Sequence, residues 1–365
     1  MTDWSNCRNI LCIRPDNMGD LLMSGPAIRA IKTSFETKIT VLTSSMATAI
    51  AALMPEIDEV MVFDVPWVKT QEAANKEAVA QIVSRLAEKK FDAAVIFTVF
   101  SQNPLPSAML AYLAGIPKVL AYCRENPYGL LSDWVPDEEP YALIRHQVER
   151  DLHLVGTIGA KTTNQKLHLT VTDDLWPGME SRLGNLGWQS EKPWMVLHAG
   201  VSEIKRQYPV EHWIATAKML TAKGYQILLT GTVAETELNF EICRATGEAC
   251  INATGLFNLD ELVCLIRNSL LLLSVNTGPV HIAAAVATPV VVLYAQTNPQ
   301  HTPWQVPNRV LEFPVSPNLH SKNEVIRYLQ RTLYYNAAVM PGPVDVVNAV
   351  EDLLRQSVAS ALPSA

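Results

Sequence analysis

The sequence predicts two α/β domains, each built on a parallel β-sheet covered by helices. Its 365 residues exceed what one hydrophobic core usually fills. Short apolar, β-prone runs alternate with helical segments in both halves, and this alternation breaks at Thr172–Gly178. We therefore place one domain at residues 1–172 and a second domain at 173–343. Residues 344–365 are expected to form a C-terminal helix and tail, which could pack back on the first domain.

The first half alternates strands with helices from its beginning. Short apolar runs predict strands at 9–14, 38–43, 59–63 and 93–97, and longer periodic runs predict helices at 21–34, 46–54 and 73–89. A helix between two strands of one sheet normally makes those strands parallel, so we expect a parallel sheet with helices on both faces.

The second half repeats this pattern. Strands are predicted at 194–198, 226–230, 270–274 and 290–293, and helices at 210–223, 235–246, 259–268, 280–286 and 344–357. Pro303–Asn323 has no periodicity and is read either as a loop over the site or as a plain connector. Open parallel sheets bind ligands at the carboxyl ends of their strands, so both domains are expected to face one crevice.

Composition limits the class of partner. Apolar residues make up 48% of the chain and charged residues 18%, which is ordinary for a globular enzyme. The formal charge of −7, with no block of Lys or Arg, argues against nucleic acid as a partner. The six cysteines have no C-x-x-C pair and no zinc-ligand spacing, so we expect buried free thiols and no metal.

The expected location is the cytoplasm. The N-terminus lacks a basic segment followed by an apolar one, and no run reaches the length of a membrane span. Trp4, Trp67 and Trp134 could form an apolar rim that contacts the inner face of the cytoplasmic membrane peripherally; scattered exposed aromatics are the simpler reading.

The most specific segment for function runs from a buried strand through a tight turn into an Ala-rich helix. It contains Asn276, Thr277, Gly278, Pro279 and His281. Amide groups and the positive end of a helix dipole favour a diphosphate at such a turn. An ordinary β-α turn with a well-placed proline would give the same pattern.

Two further segments could complete a nucleotide site in this half. The cations Lys205 and Arg206 precede a helix, where they could neutralise a departing diphosphate; a solvated surface pair is the alternative. Glu235 follows a strand and a Gly loop, where it could bind ribose hydroxyls or only cap its helix.

The first half offers a candidate base. Asp20 lies beside Gly19 after the first strand, where it could take a proton from a hydroxyl; helix capping is the alternative, and Asp16 is a weaker candidate for the same role. Arg14, Asn103 and Arg124 are candidate contacts for an acidic or phosphorylated acceptor, although packing and loop roles explain them equally well.

Together these segments resemble glycosyltransferase family 9, the ADP-heptose:lipopolysaccharide heptosyltransferases. The family's opening Arg-x-Asp-x-x-Gly-Asp is matched by Arg14–Asp20, and its Pro-Ala helix by Pro26–Arg29. The family's donor motif is matched by Asn276–Ala285 and by the Thr-Pro-Val-Val run that begins at Thr288. The resemblance extends over nearly the whole chain.

The resemblance implies a GT-B fold, with two Rossmann-like domains facing across a cleft. It implies inverting, metal-independent transfer of a heptose or similar sugar from a nucleotide-diphosphate sugar, expected to be ADP-heptose. The acceptor would be a hydroxyl of lipopolysaccharide core or another glycan or glycolipid. By position, Asp20 matches the family's base, Lys205 its phosphate-binding lysine and Glu235 its ribose contact, and Thr277, Gly278 and His281 match its pyrophosphate loop.

Two departures separate this chain from the family pattern. Asn276 stands where the family has Asp, which replaces a negative group near the donor sugar by a neutral amide. Between Lys205 and Pro209 the family's Lys-Arg-Trp-Pro run is one residue longer here, so either cation could meet the phosphate.

Rival classes fit less well. An oxidoreductase is disfavoured because the first β-α turn lacks Gly-x-Gly-x-x-Gly. A sugar-nucleotide epimerase with a GT-B-like fold, or a non-catalytic relative that binds nucleotide sugars, stays open at this stage.

Overall fold

The computed structural model describes residues 1–69, 74–296, 298–332 and 339–361, with side chains placed up to residue 356. The chain divides into two compact units. The first comprises Met1–Thr170 with the short segments Pro299–His301 and Asn323–Tyr328, and the second comprises the remaining residues. Within the described ranges no helix is both long and apolar enough to cross a bilayer.

The first unit is a six-stranded parallel sheet with helices. Its elements are β1 (Asn9–Arg14), α1 (Met18–Phe35), β2 (Lys38–Thr43), α2 (Thr48–Ala52), β3 (Glu59–Val62), α3 (Lys76–Lys89), β4 (Ala93–Ile96), α4 (Leu105–Leu113), β5 (Val119–Cys123), β6 (Asp133–Pro136) and α5 (Gln147–Gly156). The strand order is β3-β2-β1-β4-β5-β6, and all pairings are parallel. This is the doubly wound order of nucleotide-binding folds, and its direction reverses between β1 and β4.

The second unit has the same topology. Its elements are α6 (Trp176–Gly184), β7 (Trp194–His198), α7 (Val210–Ala222), β8 (Gln226–Leu229), α8 (Thr236–Thr246), β9 (Cys250–Asn252), α9 (Leu259–Asn268), β10 (Leu272–Val275), α10 (Gly278–Ala285), β11 (Val290–Ala295), β12 (Asn308–Phe313) and α12 (Pro343–Ala361). Between β12 and α12 lies α11 (Glu324–Thr332), which begins among the residues of the first unit. The order β12-β11-β10-β7-β8-β9 reverses between β7 and β10.

The central strands are buried along almost their whole length because helices cover both faces of each sheet. In β1, five of the six residues are buried, and the four residues of β10 are all buried. Continuous burial explains why these strands read as unbroken apolar runs instead of alternating patterns. The eight strands predicted from such runs are all confirmed, with end points that differ by no more than two residues.

Two sequence interpretations are corrected. Pro303–Asn323 is neither a cleft loop nor a plain connector, because β12 lies inside it as an edge strand paired with β11 along six residues. The predicted boundary at Thr172–Gly178 lies next to the division between the units at Thr170 and Val171, although α6 begins within it at Trp176. The C-terminal helix α12 belongs to the second unit rather than to the first. It buries the apolar side chains of Val346, Val350 and Leu353 in the core of the second unit, and this burial stabilises the helix there.

Candidate active site

In each unit the residues of interest lie where the strand order reverses. Arg14 ends β1 and the segment after β4 runs through Thr98 and Gln102 in the first unit. In the second unit Gly200 follows β7 and Asn276 follows β10. Adjacent connections leave a sheet in opposite directions at such a point, which opens a crevice at the carboxyl ends of the strands. The topology therefore gives each unit one binding crevice.

The carboxylate of Asp20 is not used to cap its helix. Asn17 caps α1 instead, because its side-chain oxygen accepts hydrogen bonds from the amides of Gly19 and Asp20 at 3.1 and 3.4 Å. The Asp20 carboxylate accepts from Arg14 Nη2 at 3.3 Å, and its side chain is 14% exposed. The capping alternative for Asp20 is therefore wrong, and its carboxylate lies at the mouth of β1 with part of its surface open.

Arg14 has no exposed surface. Its side chain is 0% exposed and lies between two carboxylates, with Nε 2.9 Å from Asp16 Oδ2 and Nη2 3.3 Å from Asp20 Oδ1. A guanidinium enclosed in this way cannot meet an acceptor, so the structure does not support Arg14 as an acceptor contact. Burying a charge is costly unless it is paired, and this pairing explains why Arg14 turns inward.

Asp16 is also buried. Gln102 donates a hydrogen bond to its carboxylate, and the Ser44 hydroxyl donates to its backbone carbonyl. Burial raises the pKa of Asp16 to about 6, and the neighbouring Arg14 opposes that shift. Because little of the side chain is exposed, Asp16 is poorly placed to receive a proton from a substrate, which agrees with the preference for Asp20.

A second buried charge network was missed from the sequence. On α5, Asp151 accepts from Ser24 Oγ at 2.6 Å and from Gln147 Nε2 at 2.8 Å. Also on α5, Arg150 pairs with both oxygens of Asp137 at 2.8 and 2.7 Å. The signal was available, because polar residues at i, i+3 and i+4 occupy the helix face that packs on α1.

The two other acceptor candidates lie on the surface of the first unit. The Asn103 side chain donates to Glu125 Oε1 at 2.8 Å and accepts from the amide of Leu105 at 2.9 Å, which fixes the start of α4. The guanidinium carbon of Arg124 is 4.8 Å from the ring centroid of Phe100. Both residues are exposed and could meet a ligand, and both also have local structural roles.

The turn after β10 has the predicted form. Thr277 precedes α10 in an extended conformation and makes no side-chain cap, and Gly278 is the first helical residue. Pro279 contributes no N–H, and the amide of Val280 bonds Thr277 O at 3.1 Å, so the amide of Gly278 is the first helical donor here. The Thr277 hydroxyl donates to Val275 O at 3.2 Å, and His281 is buried one turn into the helix.

The two adjacent cations share Glu203 as a partner, and Arg206 also contacts the turn after β10. Arg206 Nη1 donates to the carbonyl of Asn276 at 2.9 Å, so its guanidinium lies against the candidate phosphate turn. Lys205 Nζ lies 2.7 Å from Glu203 Oε2. Both cations keep about a quarter to a third of their side chains exposed, at 27% for Lys205 and 30% for Arg206. The structure thus brings Arg206, more directly than Lys205, to the turn.

Glu235 lies against two glycines in the crevice of the second unit. A Cβ atom on Gly200 would lie 2.5 Å from Glu235 Cγ and 2.8 Å from Oε1, and one on Gly231 would lie 3.1 Å from Oε2. Only glycine fits at these positions. Glu235 Oε2 accepts from the amide and the hydroxyl of Thr232 at 2.5 and 2.6 Å, so the capping role proposed as an alternative is present in the structure.

The histidine that ends β7 is neutral. His198 Nδ1 lies 3.1 Å from Thr230 Oγ1. Burial of the imidazole lowers the pKa of His198 to about 4, although the nearby carboxylate of Glu235 opposes the shift. At neutral pH this side chain therefore offers a hydrogen-bond donor and an acceptor to the crevice, and no charge.

The cysteines are free thiols, and one tryptophan of the predicted apolar rim is buried. All six cysteines are free and five are buried, as expected, and Cys243 Sγ lies 3.1 Å from Cys250 Sγ. Among the described residues no group of three or more His, Cys, Asp or Glu is placed to hold a metal. The predicted rim is wrong for Trp4, which is buried and donates to Asp133 Oδ2 at 3.2 Å.

Two doubly wound units, one with a partly exposed carboxylate and one with a helix-opening turn at its switch point, fit the architecture of a GT-B glycosyltransferase. The family model of glycosyltransferase family 9 (heptosyltransferase) matches residues 79–327, and the chain belongs to this family. The matched range contains the Asn276–Ala285 motif and not the Arg14–Asp20 motif.

Individual relatives extend the comparison to most of the chain. Lipopolysaccharide heptosyltransferase 2 of Escherichia coli K12 is 29% identical over 308 residues, which cover 80% of this chain and 84% of that protein. A family 9 glycosyltransferase structure from Veillonella parvula DSM 2008 matches with a TM-score of 0.79 at 19% identity, covering 98% of this chain and 99% of the other. E. coli ADP-heptose LPS heptosyltransferase II matches at 0.72 and 24%, covering 96% and 99%. The predicted GT-B fold is confirmed.

Proposed function

We propose that this glycosyltransferase moves a heptose from ADP-heptose to a hydroxyl of a lipopolysaccharide core or a similar glycan, with inversion at the anomeric carbon. The names of the relatives support the substrate class, since they describe lipopolysaccharide heptosyltransferases and, in one solved structure, ADP-heptose. The observation that carries the mechanism is the Asp20 carboxylate, which is partly exposed, free of capping and held by Arg14.

In the proposed reaction Asp20 accepts the proton of the acceptor hydroxyl. The acceptor oxygen forms a bond to the anomeric carbon while the bond from that carbon to the diphosphate oxygen breaks. Attack from the face opposite the leaving group inverts the anomeric configuration in one oxocarbenium-like step. The electron pair of the broken bond leaves with ADP, and the proton remains on Asp20 until solvent removes it.

The second unit is proposed to bind the donor and to stabilise the leaving diphosphate. Negative charge grows on the diphosphate as the glycosidic bond breaks, so fixed positive groups lower the barrier. Arg206, Lys205 and the amide of Gly278 with the α10 dipole would supply this charge without a divalent ion. Activity that is unchanged by EDTA supports this proposal, and loss of activity that Mg²⁺ restores contradicts it.

Two residues are proposed to select the nucleotide and the sugar. Glu235 Oε1 would accept a hydrogen bond from a ribose hydroxyl while Oε2 stays on Thr232. Asn276, whose carbonyl is held by Arg206, would offer the donor sugar a neutral amide that both donates and accepts. Peripheral contact with a membrane that carries a glycolipid acceptor remains a prediction.

The experiment is a donor panel with the purified protein and a heptose-deficient lipopolysaccharide core acceptor. ADP-heptose, ADP-glucose, UDP-glucose and GDP-mannose are compared by release of the nucleoside diphosphate, and the product is analysed by NMR for its anomeric configuration. The proposal predicts turnover with ADP-heptose that needs the acceptor, and an inverted linkage. Donor conversion without acceptor would instead indicate an epimerase, and a retained linkage would contradict the single-displacement mechanism.

A further inference from the structure

Arg14 links two carboxylates that differ in exposure. Its guanidinium contacts Asp16 through Nε at 2.9 Å and Asp20 through Nη2 at 3.3 Å. The side chain of Asp16 is 5% exposed and that of Asp20 is 14% exposed. Nη2 donates a hydrogen bond to Asp20, whereas the contact of Nε with Asp16 is an ion pair without hydrogen-bond geometry, so one buried cation lies between the two carboxylates. The more exposed of the two is the one placed to meet a substrate.

The charges around this group come from several elements. From α5, Asp151 attracts Arg14 and Arg150 repels it. From the segment after β4, Gln102 donates to Asp16, and from the segment after β2 the hydroxyl of Ser44 donates to the Asp16 carbonyl. Gln102 and Ser44 are uncharged. The charges that act directly on Asp20 are those of its contact Arg14 and of the neighbouring carboxylate of Asp16.

We propose that Arg14 is a positioning residue for the reaction, one that fixes the carboxylate of Asp20 at the mouth of β1. This inference rests on the proposed role of Asp20 as the base. Asp16, which accepts a hydrogen bond from Gln102, pairs with Nε of the guanidinium, so Arg14 is held on a second side as well. Arg14 itself does not touch a substrate, because it has no exposed surface.

A positioning role predicts an effect on turnover that depends on Asp20. Arg14 contacts the carboxylate of Asp20 and has no exposed surface, so its removal should lower kcat and leave donor affinity unchanged. If Arg14 acts through Asp20, its removal should have little further effect once Asp20 is replaced, because effects of residues that act as a unit are not additive.

The experiment compares kcat and the Kd for ADP in wild type, Arg14→Gln and Arg14→Lys, each with Asp20 and with Asp20→Asn. For Arg14→Gln we expect kcat to fall by about tenfold or more while the Kd stays within about twofold of wild type. For Arg14→Lys we expect a similar fall in kcat, because an ammonium lacks the planar geometry of the guanidinium. In the Asp20→Asn background both changes should alter kcat by less than about twofold. Arg29→Gln is the matched control, because Arg29 is on α1 and pairs with Glu56, away from Asp20. Its kcat and Kd should match wild type.

Arg14→Gln leaves Asp16 buried without a cation, so it could fail to fold. The double variant Arg14→Gln/Asp16→Asn removes both charges and should still show the fall in kcat, because Asp20 has lost its direct partner. A wild-type kcat in a folded variant without Arg14 overturns the inference, as does an equal further fall in the Asp20→Asn background. Failure of the proposed function is distinct, since Asp20→Asn alone would then retain turnover.

Discussion

Gly200→Ala tests whether Glu235 holds the nucleotide. The new Cβ would lie 2.5 Å from Glu235 Cγ, 2.7 Å from Cδ and 2.8 Å from Oε1, whereas ordinary van der Waals contact begins at 3.4 Å. Glu235 must therefore move by about 1 Å, and it already lies so close to Gly231 that a Cβ built on that residue would be 3.1 Å from Glu235 Oε2. The carboxylate then loses its two hydrogen bonds from Thr232 and its proposed bond to the ribose.

The two lost hydrogen bonds should cost about 1 to 2 kcal/mol of unfolding free energy, because both partners are partly exposed. For a unit of this size this lowers Tm by about 2 to 8 °C. Loss of a charge-assisted bond to the ribose should weaken ADP binding by about tenfold or more. The change in Tm is measured by thermal denaturation with and without ADP, and the Kd for ADP is measured by isothermal titration calorimetry.

Gly178→Ala is the matched control for this experiment. Gly178 is exposed on α6 in the same unit, and a Cβ there would meet nothing within 4 Å. Alanine favours a helix, so the control should be stabilised by up to about 1 kcal/mol and should bind ADP as wild type does. If Gly200→Ala binds ADP with the wild-type Kd, the reasoning that places Glu235 on the ribose is wrong.

Three further perturbations follow from contacts described above. Arg206→Ala should raise the Kd for ADP by about tenfold and Lys205→Ala by less than about threefold, because Arg206 and not Lys205 contacts the Asn276 carbonyl. The two Kd values are measured by calorimetry, and equal effects would refute this distinction. Arg150→Met leaves Asp137 and Glu139 buried without a cation and should cost about 3 to 5 kcal/mol in urea unfolding; a loss below about 1 kcal/mol would refute the importance of that pairing. Burial raises the pKa of Asp151 to about 6, above its value in the unfolded chain. Protonation of Asp151 therefore stabilises the folded state fully below about pH 4, and this stabilisation is lost as the pH rises through 6. Asp151→Asn cannot ionise and so does not lose this stabilisation. The difference in unfolding free energy between Asp151→Asn and wild type should therefore increase by up to about 3 kcal/mol from pH 4 to pH 7, and a constant difference would contradict the raised pKa.

The sequence predicted central strands such as β1 and β10 because burial on both faces leaves few polar positions in them. It missed β5 and β6 in the first sheet, and β9 and β12 at the two edges of the second sheet. An edge strand has one neighbour and one exposed side, so its residues need no continuous apolar run; all but the last residue of β12 are only partly buried. Its pairing with β11 is a tertiary contact that no local pattern encodes.

The positions of site residues were predictable where those residues directly follow a strand. Asp20, Glu235 and the Thr277–Gly278 turn follow directly from strands, so their place at the carboxyl ends could be read from the sequence. The pairing of Asp151 with Ser24 could not, because α5 is separated from α1 by more than a hundred residues. Whether a charged side chain points outward to a ligand or inward to a carboxylate depends on such distant packing.

The most direct test of the central claim is a single-turnover measurement of Asp20→Asn with ADP-heptose and acceptor, together with its Kd for ADP. Asparagine keeps the shape of the side chain and an oxygen for the contact with Arg14, but it cannot accept the proton. We expect the transfer rate to fall by about a hundredfold or more while the Kd stays within about twofold of wild type. A transfer rate near that of wild type would show that another group removes the proton and that the mechanism proposed for Asp20 is wrong.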